Sequence, residues 1–182
     1  FKKKLEGVLT KGDQPIGNGI GPVLEMIDVL KILDPKQQGP KDLEEKSVFL
    51  AGKLLEMAGK IKKGLGIKKA KEILNSGKAF EKFKQIIRAQ GGTIKELKPG
   101  KFKHNVLANK TGRVLKINNK TINLLARIAG CPLDKSAGIY LYVHKNYKVK
   151  KNEKLLTIYS ESKSRLHAAV NFYNKNKIIE IK

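Results

Sequence analysis

Apolar residues recur along this chain at two spacings, and the change from one to the other falls near its middle. Ile20, Val23, Leu24, Ile27 and Leu30 are separated by threes and fours. This predicts a helix from about Gly21, with Pro22 at its first position and Pro35 beyond its end. Val48, Leu50, Ala51, Leu54, Leu55 and Ala58 predict a second helix over Leu43 to Ala58 with those side chains inward. A basic turn, Gly59 to Gly66, leads to two shorter helices, Ile67 to Leu74 and Gly77 to Ala89, and Gly91-Gly92 stops the last. Ahead of all of these, Leu5 to Thr10 reads as a short strand.

Beyond Gly92 the period shortens. Asn105 to Ala108, Arg113 to Ile117, Gly138 to Val143, Tyr147 to Val149, Lys154 to Tyr159 and Ile178 to Ile181 are short and rich in β-branched or aromatic residues, the pattern of strands. Two helices interrupt them. One covers Thr121 to Ala129, with Ile122, Leu125, Ala126 and Ala129 on one face; the other covers Ser162 to Asn174, capped by Ser160 or Ser162. Helices alone, followed by strands mixed with helices, predict an α+β chain of two units with a seam near residues 91–101. The expected division is 1–92, a linker at 93–101, and 102–182.

Composition narrows the chemistry. A chain of 182 residues with 40% hydrophobic content can bury a core. Its one cysteine, Cys131, excludes an intrachain disulfide and a multi-thiolate zinc site, and fits a reducing, cytoplasmic setting. No apolar run reaches the roughly 20 residues that span a bilayer. Phe1-Lys2-Lys3-Lys4-Leu5 has no apolar region after it and does not read as a signal peptide; with no initiator Met, a processed or truncated chain is expected. The formal net charge is +23, which raises nucleic acid as a partner. Yet only Arg88, Arg113, Arg127 and Arg165 among the 39 basic residues are arginines, and the lysines are scattered. A solvated lysine-rich surface is the plainer explanation, because arginine supplies the forks that read phosphate and guanine. A basic RNA-binding module stays as the alternative of another class.

The densest candidate for function is Gly12-Asp13-Gln14-Pro15-Ile16-Gly17-Asn18-Gly19-Ile20-Gly21-Pro22, a glycine loop leading into a helix. Such a loop can present amides to an anion or carbonyls to a cation, or simply turn the chain where positive φ is needed. It is not a dinucleotide fingerprint, since Pro22 occupies the place of the third glycine, and there is no Gly-Lys followed by Ser or Thr. Asp13, Glu25 and Asp28 gather around it and could serve a hard cation, or could be ordinary acids at a helix start. Ser160-Glu161-Ser162-Lys163 and Lys110-Thr111-Gly112 imitate a serine-nucleophile set, but the third element is absent and the order is reversed, so a cap and a turn explain them. His104, His144 and His167 lack ligand spacing.

Several of these segments together resemble one family. Gly12-Asp13-Gln14-Pro15-Ile16-Gly17, with Gly21 and Glu25, resembles the Asp-Met-x-Gln-Pro-Leu-Gly … Gly-Asn-x-x-Glu segment of the thymidine and pyrimidine-nucleoside phosphorylases, in wording closest to their archaeal AMP phosphorylase branch. Thr111-Gly112-Arg113-Val114 with Ile117-Asn118-Asn119-Lys120, then Asp134 to Leu141, then Val149 to Ser160, resemble that family's C-terminal segments in the same order. The resemblance implies a remnant of a central α/β domain followed by a C-terminal α+β hammerhead domain. It implies phosphorolysis by the whole enzyme, with inorganic phosphate attacking C1′ of a nucleoside monophosphate such as AMP, CMP or UMP and expelling the base to give ribose 1,5-bisphosphate. A thymidine or pyrimidine-nucleoside phosphorylase is the alternative within the family.

The family's phosphate loop, base-binding residues and proton donor match nothing here. The resemblance therefore implies no catalytic residue in this stretch, no organic cofactor, and a missing N-terminal portion without which the chain is silent. By position it implies a monovalent cation, K⁺, held by the carbonyl oxygens of Ile16 and Gly19 and the carboxylate of Asp28, where relatives carry Glu. It also implies a homo-oligomer, in which the C-terminal unit helps to close the cleft and build subunit contacts. Neither a membrane nor nucleic acid is an expected partner. Ile20, Val23, Leu24, Leu50 and Leu54 are candidates for apolar surface that a severed domain would expose.

Overall fold

The structure of the chain, a computed structural model, describes residues 5–182. Phe1 to Lys4, and with them the first residues of the signal-peptide reading and of the 1–92 unit, lie outside the described residues. The fold is α+β, with β1 Gly19–Ile20, α1 Pro22–Leu33, α2 Lys41–Met57, α3 Gly66–Asn75, α4 Lys78–Ala89, β2 Phe102–Leu107 and β3 Gly112–Ile117 in the first part. Then come α5 Asn119–Ala129, β4 Gly138–Leu141, β5 Lys148–Val149, β6 Lys154–Ser160, α6 Lys163–Lys175 and β7 Ile179–Ile181.

By their contacts the described residues form two units, residues 5–11 with 29–96, and residues 12–28 with 97–182. The seam between them falls at 96/97. The glycine loop, however, belongs with the second unit, so the units are not the consecutive blocks that the changing period suggests. The cause is a pairing no local pattern announces, since Gly19 and Ile20 form a two-residue antiparallel ladder with Tyr140 and Ile139. The strand expected over Leu5 to Thr10 does not form; that segment is irregular, with Leu5 and Leu9 exposed. A lone extended run without a neighbour has no ladder to stabilise it.

The first unit is helical. α2 and α3 meet where both carry glycine, and a Cβ on Gly52 would stand 2.7 Å from the Gly66 carbonyl carbon and 2.5 Å from the Ile67 nitrogen. Leu65, at the N-cap of α3, supplies no side-chain acceptor. Glu56 of α2 does so instead, its Oε1 accepting from the N–H groups of Gly64 at 2.9 Å and Gly66 at 2.8 Å. A carboxylate on the first amides of a helix both satisfies donors and opposes the dipole. Of the residues expected inward on α2, Val48 is buried, whereas Leu50 and Leu54 are exposed.

The second unit holds the main core. β1-β4-β6-β2 form one antiparallel sheet and β5-β3-β7 another. Ile139 faces Ile158 and Leu141 faces Leu156 across β4 and β6, and all four are fully buried. Ile122, Leu125, Ala126 and Ala129, the predicted stripe of α5, are buried with them. The alternate residues turn to the opposite face, where the Tyr142 hydroxyl lies 3.1 Å from Thr157 Oγ1, which donates to Asn105 Oδ1 at 2.8 Å. Asn118 caps α5 by accepting from Lys120 and Thr121, and Ser162 caps α6 by accepting from Arg165.

The α2–α3 crossing generates a prediction. Gly52→Ala adds one methyl where backbone already stands, and such overpacking typically costs about 1–3 kcal/mol. Urea unfolding followed by helical circular dichroism should show a loss of that size; an unchanged midpoint would mean that the two helices do not cross at Gly52.

Candidate functional site

The glycine loop is organised from the first turns of the helix that follows it. Asp28, 1% exposed, directs Oδ2 to the backbone N–H groups of Asn18 and Gly19, each at 2.7 Å. One turn earlier, Glu25 Oε1 accepts from the N–H of Gly21 at 2.9 Å. Glu25 and Asp28 share a helix face because they are three apart, and together they take three loop donors. Gly21 sits at φ +123, and a Cβ there would lie 2.6 Å from the Ala137 carbonyl oxygen, so the turn into α1 admits little but glycine.

A brace from the other end of the unit completes the site. His144 Nε2 lies 2.9 Å from Asn18 Oδ1, and Asn18 Nδ2 donates to the Tyr140 hydroxyl at 3.4 Å. The Lys145 N–H donates to Gln14 Oε1 at 2.7 Å, and Lys145 Nζ pairs with Asp13 Oδ2 at 2.8 Å. The N–H of Leu141 donates to the Asn18 carbonyl at 2.7 Å. Residues more than 120 positions apart thus fix both the side chains and the backbone of the loop.

This arrangement commits the loop's amides. The N–H groups of Asn18, Gly19 and Gly21 already point at carboxylates of the chain itself, so they are not a cradle for an external phosphate. A turn that requires positive φ, as at Gly17 and Gly21, and the expected carbonyl and carboxylate ligands both stay compatible with the loop. Ile16, Gly19 and Asp28, the residues expected to hold a cation, lie on the same loop and helix, and the Asp28 carboxylate touches the Gly19 peptide. Their donor set is carbonyl and carboxylate oxygen, the set that a hard cation takes. Asp13, the third acid of the sequence cluster, is engaged instead with Lys145.

The other sequence candidates fall into structural roles. Ser160 is buried and donates to the Ala129 carbonyl at 2.7 Å. Thr111 Oγ1 accepts from the Lys151 N–H at 3.0 Å. His104 and His167 are exposed. Among the described residues no three His, Cys, Asp or Glu side chains gather as metal ligands, and no helix is long and apolar enough to cross a membrane. Burial pushes the Cys131 thiol up, and Glu25 adds to the effect, the opposite of what a reactive thiolate needs. Sequence reading located the loop and its acids but missed the brace of Gln14, Asn18, His144 and Lys145. Its one local sign was a histidine placed between a strand and a turn.

The chain is similar to known proteins. The pattern of the pyrimidine nucleoside phosphorylase C-terminal domain matches residues 113–180. An AMP phosphorylase of Methanococcus aeolicus is 49% identical over 98% of this chain and 36% of its own length. A putative thymidine phosphorylase of Legionella pneumophila (strain Corby) is 47% identical over 89% of this chain and 31% of its own. An AMP phosphorylase of Pyrococcus horikoshii is 47% identical over 91% and 34%. The chain spans about a third of the length of these relatives.

The loop depends on Asp28 more than on any other side chain. Asp28→Ala orphans two N–H groups that are now bound to a charge, and hydrogen bonds to charged groups are worth about 1.5–3 kcal/mol each. A loss of about 3 kcal/mol in denaturant unfolding is expected, with faster amide exchange at Asn18 and Gly19. A loss below about 0.5 kcal/mol, the range of an unremarkable surface change, would show that the loop holds without it.

Proposed function

We propose that this chain, which belongs to the thymidine/pyrimidine-nucleoside phosphorylase family and matches the C-terminal portion of its AMP phosphorylase branch, serves an enzyme that cleaves nucleoside monophosphates with inorganic phosphate. The observation that carries this reading is the 49% identity to an AMP phosphorylase across 98% of the chain. In the proposed reaction, phosphate oxygen bonds to C1′ as the glycosidic C–N bond breaks. The base leaves with the bonding pair and takes a proton, and ribose 1,5-bisphosphate remains. AMP, CMP and UMP are the proposed substrates.

The portion described here supplies framework and field. Its loop donors are committed to Asp28 and Glu25, and on this reading the phosphate grip and the proton donor belong to the rest of the complete polypeptide. The net charge of +23 draws anionic substrates by long-range attraction without needing a local pocket. A cytoplasmic homo-oligomer is the setting this reading favours. The relatives named putative thymidine phosphorylase favour a second reading, in which the substrate is a nucleoside without a 5′-phosphate.

The complete polypeptide, given AMP or thymidine with phosphate, separates these by chromatography of the released base. Adenine from AMP is expected, in proportion to phosphate, with the 182-residue chain alone silent. Base release from thymidine alone moves the assignment to the second reading. Phosphate-independent release, or turnover by the chain alone, defeats the first. RNA binding by the chain with a steep salt slope, and no phosphorolysis by the complete polypeptide, would favour the RNA-binding module instead.

The same reading includes a monovalent cation at Ile16, Gly19 and Asp28. Bound there, K⁺ would add a fixed positive charge to the loop and tie its carbonyls to α1. Because a ligand that binds only the folded state stabilises it, the melting midpoint of the complete polypeptide should rise with K⁺ against tetramethylammonium at equal ionic strength. Asp28→Ala should melt lower and ignore K⁺; a wild-type midpoint indifferent to K⁺ ends the cation proposal.

A further inference from the structure

β3 is the middle strand of the β5-β3-β7 sheet, and Arg113 on it meets a lysine on either side. Lys148 of β5 stands opposite Arg113 in the register. Towards β7, the Arg113 N–H donates to the Lys182 carbonyl at 2.6 Å and the Lys182 N–H donates to the Arg113 carbonyl at 2.9 Å, so these two form a hydrogen-bonded pair. Both main-chain groups of Arg113 are then engaged with Lys182. Arg113 and Lys148 are therefore a non-hydrogen-bonded pair, the kind whose side chains stand closer. Val114 is fully buried, so its neighbour Arg113 faces outward.

Like charges set directly opposite one another across a sheet are destabilising. The next pair of the same ladder avoids this, because Lys116 faces Glu180. At Arg113 the rule is broken on both sides. Lone lysines on a surface are mobile, well-hydrated point charges. Here the backbone register itself puts three cations side by side, and the middle one is a planar fork that matches phosphate. A local conflict of this kind marks a place where a compensating partner is expected.

The three cations line one open cleft of about 610 Å³ together with Lys150, Tyr147 and Glu153. Glu153 is the one acid in the lining, and its Oε2 accepts from the Lys150 N–H at 2.8 Å. None of Arg113, Lys148, Lys150 and Lys182 forms an ion pair among the described residues. Arg113 Nη1 donates to the Asn146 carbonyl at 3.2 Å, which steadies the guanidinium and leaves its other donors for a ligand. No residue of the glycine loop lines this cleft.

We propose that the cleft binds a phosphate dianion, gripped by the Arg113 fork and set between Lys148 and Lys182. Two sources supply that group, inorganic phosphate and a nucleoside monophosphate. Tyr147, 46% exposed in the same lining, offers a ring to the base of the second. The proposal does not depend on the phosphorylase reading, and its test involves no turnover.

The 182-residue chain is titrated with inorganic phosphate, AMP and adenosine at constant ionic strength and followed by amide NMR. Saturable shifts at Arg113, Lys148 and Lys182 are expected with phosphate and with AMP, and none with adenosine. Arg113→Gln should weaken phosphate about tenfold or more, and Arg113→Lys, which keeps the charge and loses the fork, by less. Lys60→Gln, at an exposed lysine outside the cleft, should stay within about twofold. Should Arg113→Gln fail to fold, Lys148→Gln takes its place. AMP tighter than phosphate by about fivefold, with Tyr147→Ala removing the difference, assigns the site to the nucleotide. Equal affinities assign it to the free ion. Equal losses in Arg113→Gln and Lys60→Gln, unsaturable shifts spread over lysines throughout the chain, or adenosine binding as tightly as AMP overturn the proposal.

Discussion

A buried carboxylate with two backbone amides on one oxygen is the contact from which the second unit is organised. Asp28 reaches back from α1 to the N–H groups of Asn18 and Gly19, and without it both donors would be left in a place that water does not reach easily. With the loop held there, Gly19 and Ile20 run beside Ile139 and Tyr140, and a four-stranded sheet gains its edge. Asn18 is then placed for His144 and Tyr140, and Gln14 for the Lys145 amide. Glu25 adds the same device at Gly21, where positive φ and the nearby Ala137 carbonyl leave no space for a side chain.

Elements whose stability is local were legible in the sequence. α5 announces itself through four apolar residues on one face and an asparagine before them, and the same four are buried and the asparagine caps. α6 begins after a serine that caps it. α3 and α4 lie where the short periods put them. These features follow from spacing and capping chemistry within a turn or two.

What stayed hidden depends on partners far along the chain. β1 is two residues long, one of them glycine, and exists only because β4 lies beside it. Leu5 to Thr10 has better strand composition and makes no strand, since composition does not supply a neighbour. The outward leucines of α2 show the same limit, because helical spacing marks an apolar face without saying whether this chain covers it. The candidate site was half visible for this reason. Its acids share a helix and a period, while its brace joins Asn18 to His144 across 126 positions.

Charge and hydrogen bonding divide the work between this portion and the rest of the proposed enzyme. An anion can be drawn by many dispersed lysines, because a summed field does not require them to converge. It can be gripped only by donors that point at it and are not otherwise engaged. Here the field is strong and the best-placed donors are engaged, since the loop gives its amides to Asp28 and Glu25. On the proposed function, a portion built this way draws anions by its field and does not grip them at its loop. The cutting of a glycosidic bond also requires a group that stabilises the developing charge and a group that protonates the base, and on the proposed function both must be carried by the other part.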